Sequence, residues 1–539
     1  MQYKEEINAI IDSLTLDEMI GQMMCFSAIK MTEEDILDVV QTTKAGSFFV
    51  SNETPERIKK ITDIMNEHLK CPGMIAADIE YGPGSILEGE IRLPEPMAWG
   101  ACNDAKLIKA AHVEVARRCR EMGVHWNFAP VADINYNPDN PVTNVRAVSD
   151  IPERVARICC AAVEGMQENG LVMAGCKHFP GDGMDDRNQH FCVTVNDLDF
   201  QKWMDTYGYV YKELIKADVA SVMIGHIAFP AYDEKLNDWV GYPPGSLSYN
   251  IITKLLKKEL GFDGCVVSDA LSMVGACTAV PLDRIAVEFV KAGGDMLLFP
   301  LKEHFYQIKS AVESGEIAMD RIKDAVYRVL ILKSKAGLLD GREPEKSFPA
   351  DARRLEALAQ EIADKSITLI RNYDHLLPVS LQKGAKILVL NIKKDREKEK
   401  NYYSSDLDTI KAELENRGFS VTSFDNATRA DFADDLGEYD LVLVNCKLGS
   451  KDYRGGSLRI DWQHISPFWR GEILKHPKVI FTSFGCPYKI YDFPYLKTYM
   501  NAYSSSESTQ RAFVKALFGE IGFEGKSPVS LKGFFEAEG

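Results

Sequence analysis

Eight short apolar runs, spaced by segments of helical period, occupy the first 300 residues and confine this chain to a small set of α/β folds. They fall at residues 20–26, 45–50, 73–78, 124–133, 171–176, 219–226, 264–269 and 294–299. Such runs read as strands buried on both faces, as parallel sheets covered by helices require. The stretches between them have the complementary pattern. Ile251, Ile252, Leu255, Leu256 and Leu260, for example, share one helical face, with Ser248 as an N-cap and Gly261 as a stop. An open doubly wound sheet alternates in the same way. A closed (β/α)8 barrel is favoured because polar groups stand at many run ends, among them Asp78, Asp133, Lys177, His178, His226 and Asp269. Only closure brings all of these to one mouth.

The alternation breaks in a charged, proline-bearing stretch that begins Leu338-Leu339-Asp340-Gly341-Arg342-Glu343-Pro344. The expected organisation is a TIM-type barrel over residues 1–338, a linker over 339–350 and a smaller α/β domain over 351–539. Apolar runs return in the last part at 387–392, 441–446 and 479–484, with a helical segment at 406–417. No repeat or low-complexity tract interrupts the chain.

Composition narrows the partners. A formal net charge of -16 argues against nucleic acid and anionic membrane surfaces. The N-terminus is acidic and amphipathic, without a basic n-region or an apolar h-region, and no run approaches the ~20 apolar residues that cross a bilayer. A cytoplasmic location is therefore expected. The twelve cysteines, including Cys25, Cys159, Cys160, Cys176 and Cys265, lie in apolar segments without C-x-x-C spacing and read as reduced core thiols.

The densest chemistry follows the fifth run. Lys177-His178-Phe179-Pro180-Gly181-Asp182-Gly183, continued by Met184-Asp185-Asp186-Arg187-Asn188-Gln189-His190, crowds two imidazoles, two cations and three carboxylates into a Gly/Pro loop at a strand exit. Asp269 stands at the exit of the seventh run, after Cys265-Val266-Val267-Ser268. Position alone suits it equally as a nucleophile aimed into the mouth or as a helix N-cap. His226, at the sixth exit, joins the candidate substrate contacts; with His178, His190 and Asp269 it would also suit zinc, but no short paired-histidine ligand motif supports a metal.

Three separated motifs carry a family resemblance. Asn127-Phe128-Ala129-Pro130-Val131-Ala132-Asp133 with Asn137-Pro138-Asp139-Asn140-Pro141, then Lys177-His178-Phe179-Pro180-Gly181, then Val267-Ser268-Asp269-Ala270-Leu271-Ser272-Met273 resemble motifs of glycoside hydrolase family 3, most of all its β-N-acetylhexosaminidase branch. Residues 366–372 and 519–531 are similar to that family's C-terminal α/β sandwich domain.

The resemblance implies a cofactor-free, metal-free, retaining exo-glycosidase acting on a small carbohydrate, a β-linked N-acetylhexosaminide. It implies Asp269 as nucleophile and His190 as acid/base, since an imidazole with an ordinary pKa of ~6.5 can hold and release a proton near neutrality. Asp78, Arg146, Lys177 and His178 are the matched positions that would grip hydroxyls. Two departures stand out. The branch places an Asp two residues before the acid/base His, where this chain has Asn188; Asp182, Asp185 and Asp186 are the nearby carboxylates that would substitute, and Asp182 itself replaces a second His. In the segment beginning at Asp78, Pro83 replaces the usual Arg. These changes leave open a glycoside phosphorylase of the same fold, a β-glucosidase-like enzyme and an inactive sugar-binding protein. Oligomeric state is not legible in the sequence.

Overall fold

The computed structural model describes residues 2–87, 89–239, 241–339, 349–393, 406–428, 431, 436–449, 459–460 and 472–534. Most of the expected linker, residues 340–348, lies outside the described residues.

Ten strands form in the first 300 residues: β1 Met24–Ser27, β2 Ser47–Phe49, β3 Met74–Ala77, β4 Trp126–Asn127, β5 Met173–Phe179, β6 Thr194–Val195, β7 Ser221–Ile224, β8 Ile227–Ala228, β9 Cys265–Ser268 and β10 Leu297–Leu298. Eight of them make one parallel sheet in the order β10-β1-β2-β3-β4-β5-β7-β9, while β6 and β8 pair separately. A parallel bridge from Val267 to Met296, with Ser268 N–H donating to Met296 O at 3.0 Å, joins the sheet's two ends into a barrel.

Each of the eight apolar runs overlaps one barrel strand; most strands are shorter than their runs, whereas β5 continues past its run through Lys177, His178 and Phe179. In the first run the turn before β1 belongs to helix Leu16–Gln22, which Thr15 and Glu18 close with a reciprocal capping box. In the fourth, Trp126 and Asn127 form the strand, and the chain meets β5 once more through a single parallel bridge from Val131 to Lys177. The helix expected after Ser248 spans Asn250–Glu259; Ser248 Oγ accepts from Ile251 N–H, and the chain leaves it through Gly261 at φ +76°. Its last bonds have wide π-helical spacing, with Leu260 N–H reaching Leu255 O.

The barrel interior is filled by Met74, Trp126, Phe128, Met173, Met223 and Val267, so it is a packed core with no channel. Its lower end is closed by a cation. Lys333, from the helix Met319–Lys335, donates to Gln22 Oε1 at 2.7 Å, Gly46 O at 3.0 Å and Pro72 O at 2.7 Å, which immediately precede β1, β2 and β3. The ammonium is fully buried, and desolvation brings its pKa down to about 8.

The second domain is built on six strands: β11 Thr368–Asn372, β12 Lys386–Lys393, β13 Ser420–Asp425, β14 Leu441–Lys447, β15 Val479–Ser483 and β16 Thr498–Asn501. Their order is β11-β16-β15-β14-β12-β13, parallel throughout except for the antiparallel β11–β16 pair. The period-two alternation of β12 and β14 divides the sheet's burial between its faces. Ile387, Val389, Leu441 and Leu443 pack with Ile410, Leu414 and Phe513 from the domain's own helices. Leu388, Leu390, Val442 and Val444 pack with Met97, Ala98, Ala101 and Val145 of the barrel domain. One face of the second sheet thus covers barrel-domain residues beside Arg146. Among the described residues no helix is long and apolar enough to cross a membrane.

Candidate active site

The C-terminal ends of the barrel strands surround a cavity of about 400 Å³. Asp78, Lys177, His178, His190 and Asp269, all singled out in the sequence, line it together with Arg146 and Asn188. Sequence reading did not select the carboxylate that organises the polar side. Glu80 accepts Arg146 Nε at 2.9 Å and its Nη2 at 2.8 Å in a bidentate pair, and stands 2.9 Å from Lys177 Nζ. Lys177 also donates to Asp78 Oδ1 at 2.8 Å. Burial alone would depress both cations. The carboxylates overcome it and raise Lys177 and Arg146 above their ordinary values. Spacing signals Glu80 only as the second acid of the Asp78-Ile79-Glu80 segment.

His178 is oriented from behind. Its Nδ1 donates to Asp133 Oδ2 at 2.7 Å and its backbone N–H to Asp133 Oδ1 at 3.2 Å, directing the other ring nitrogen away from that carboxylate. Asp133 Oδ1 also takes the Asp182 N–H at 2.7 Å. Asp182 therefore lies beneath His178, where Gly183 N–H and Asn140 Nδ2 hold its Oδ1 at 2.6 and 2.8 Å. Gly183 is required here: at φ +101° it passes so close to Ile134 that a Cβ would stand 2.0 Å from the carbonyl oxygen. Burial, reinforced by the Asp133 charge, pushes the Asp182 carboxyl up to about 6.

Three expected roles meet a different geometry. Asp182 is tied to Asn140 and Gly183, so it does not stand in for the missing acidic partner of His190. Asp186 points outward in the same loop and is exposed, whereas Asn188 Oδ1 lies 2.6 Å from His190 Nδ1 and accepts the His190 N–H at 3.0 Å. His226, expected as a substrate contact, is 0% exposed. Its Nε2 donates to Ala270 O at 3.0 Å and its Nδ1 accepts from Ser246 at 2.8 Å, so the ring braces the residue after Asp269 from behind the cavity wall. Burial lowers its pKa against the pull of the Asp269 carboxylate.

The His190 loop is seated on the loop that follows β9. Val274 N–H donates to His190 O at 3.2 Å. A Cβ on Gly275 would fall 2.5 Å from Gln189 O and 2.9 Å from Cys192 O, so only glycine lets these backbones meet. Asp269 itself sits at the strand exit, its Oδ1 accepting the Ala270 N–H at 2.7 Å. Burial would raise its pKa, but His178, His226 and His190 together with that N–H outweigh burial, and the carboxyl is held below its ordinary range. An ionised carboxylate thus faces a shared cavity with two imidazoles.

The model of the glycosyl hydrolase family 3 N-terminal domain matches residues 15–332. A β-N-acetylglucosaminidase/β-glucosidase of Cellulomonas fimi is 30% identical over 528 residues, covering 95% of this chain and 93% of its own. Among solved structures, the β-glucoside phosphorylase BglX bound to 2FGlc is 31% identical, with a TM-score of 0.86 over 98% of this chain and 97% of that one. A family 3 β-N-acetylglucosaminidase from Paenibacillus sp. FPU-7 is 28% identical, with a TM-score of 0.83 over 96% and 99%. Barrel and second domain are both covered, and the chain belongs to glycosyl hydrolase family 3.

Proposed function

We propose that this protein is a retaining, exo-acting β-glycosidase that releases one β-linked N-acetylhexosamine or glucose unit from the non-reducing end of its substrate. The observation that carries the reading is the pairing of a carboxylate held ionised, Asp269, with an imidazole turned by Asn188, His190, on the wall of one cavity. Asp269 attacks the anomeric carbon while His190, its Nδ1 engaged by Asn188, gives a proton from Nε2 to the departing oxygen. The same imidazole then takes a proton from the acceptor that displaces Asp269. Relatives named β-N-acetylglucosaminidase, β-glucosidase and β-hexosaminidase support the substrate class.

A second reading concerns the acceptor. Asn188 presents a neutral amide where a carboxylate would repel an incoming dianion, and a solved phosphorylase resembles the chain over nearly its whole length. In that version a phosphate oxygen attacks the anomeric carbon, the Asp269 ester bond breaks, and the product is a β-glycosyl phosphate.

The test is release of nitrophenol from aryl β-glucoside and N-acetyl-β-glucosaminide, in matched buffers with and without phosphate. Turnover abolished by Asp269→Ala supports the nucleophile, and retention of most activity would overturn it. A phosphate-dependent rate with glycosyl phosphate as product selects the phosphorylase reading; a rate indifferent to phosphate selects hydrolysis. Silence on both sugars would remove the glycosidase reading altogether.

A further inference from the structure

The cavity wall is chemically divided, and the division follows strand order. In the closed ring, β3 and β9 stand four strands apart, so Asp78 and Asp269 face each other across the mouth. The arc at β3, β4 and β5 carries the charge, Asp78, Glu80, Arg146, Lys177 and His178, with Pro141 and Val142 its apolar members. On the opposite arc, at β10, β1 and β2, the wall is Phe299, Leu298, Ile29 and Phe49, with Ser51 its single hydroxyl.

A hexopyranose has the same asymmetry. With its anomeric carbon at Asp269 and its C4 end toward Asp78, one ring edge carries the substituents of C2 and C3. The other carries the ring oxygen, C5 and C6. Hydroxyls turned to a carbon wall would lose water and gain no partner, so the C2–C3 edge belongs on the charged arc. Resting on the glycosidase reading above, we propose that Phe299, Ile29 and Phe49 form the subsite for the C5–C6 edge, selecting a neutral C6 group and rejecting an anionic one.

The wall is built to keep its shape. Phe299 stands at φ +53°, a backbone region that bulky side chains rarely adopt, and it is retained by its surroundings. Its N–H donates to Cys25 O at 2.9 Å, and its ring meets Phe49 edge-on with centroids 5.0 Å apart. Phe49 is stacked in turn on Phe128, at 6.0 Å. Ile29, 43% exposed, forms the rim of this arc. Among the described residues no cation lines it, so a carboxylate or phosphate at C6 would be desolvated without a counter-charge from them.

The test is kcat/KM for aryl β-glycosides that differ only at C6, in whichever of the glucoside and N-acetylglucosaminide series the enzyme turns over. The 6-deoxy substrate is expected within about tenfold of the parent and the C6-carboxylate substrate at least a thousandfold below it. Ile29→Arg, at an exposed position that folding tolerates, is expected to raise the carboxylate-to-parent ratio at least tenfold. A hundredfold loss on removing the 6-hydroxyl, ready turnover of the uronide, or an unchanged ratio in Ile29→Arg would overturn the assignment. Absence of turnover on both parents would instead be the failure of the glycosidase reading, so the two failures are distinguishable.

Discussion

At His190 the partner of the imidazole is an amide, and an amide orients a ring without adding charge. Proton donation should therefore matter most where the leaving group needs it. His190→Ala is expected to slow release of a sugar or alkyl aglycone by about a hundredfold or more, and of an activated nitrophenol by about tenfold or less. Equal losses on both, measured as kcat/KM, would speak against an acid role. Asp182 offers a residue-scale test of electrostatics. Its folded pKa is raised, so the native state keeps a proton that the unfolded chain releases between the ordinary carboxylate range and about pH 6. Stability from this group is thus present at low pH and lost as pH rises through 6. Asp182→Asn should then melt higher than the parent at pH 7.5 and show no such advantage at pH 4, compared by thermal unfolding.

Among the elements, the helix Met319–Lys335 is tied to the barrel by a fully buried lysine, Lys333. Lys333→Met would keep the volume but leave the acceptors of Gln22, Gly46 and Pro72 without this donor, at a cost of about 1–3 kcal/mol. The native lysine also loses its proton near pH 8, before the unfolded chain does. Parent stability should therefore rise relative to the variant between pH 8 and 10, read by denaturant titration. The elements differ in how clearly the sequence announces them. The barrel strands are enclosed on both faces and leave unbroken apolar runs, so all eight were legible. By contrast, β13, Ser-Val-Thr-Ser-Phe-Asp, is half-buried at a sheet edge and carries no such signature. The same logic governs the site. Asp78, Lys177, His178 and Asp269 interrupt or end apolar runs with charge and were visible; Ile29 and Phe299 are apolar and carry no such signal. Whether Asp182, Asp186 or His226 faced the cavity depended on loop paths and on partners distant in sequence.

For the whole molecule, a polar thread links the second domain to the loops of the site. Tyr488 OH accepts from Asn135 Nδ2 at 2.7 Å; Asn135 Oδ1 takes Thr143 Oγ1 at 2.8 Å, Thr143 also reaches Asn140 Oδ1 at 3.0 Å, and Asn140 holds Asp182. Arg154, fully buried, donates to Ser527 O at 3.2 Å, and Asp150 accepts the Ser530 N–H at 2.8 Å. Tyr488→Phe removes the acceptor at the start of the thread. It is expected to cost about 1–2 kcal/mol in unfolding free energy and to lower kcat measurably, although the tyrosine does not line the cavity. Unchanged melting and kcat would show that the thread contributes nothing to the site.

The Lys333 closure has a bearing on the order of events. Among the described residues, a barrel stoppered at its base and filled by Trp126 and Phe128 opens to its site at the C-terminal ends of the strands. On the proposed mechanism, the aglycone leaves through that mouth, water or phosphate reaches the glycosyl-enzyme through it, and the freed sugar departs the same way.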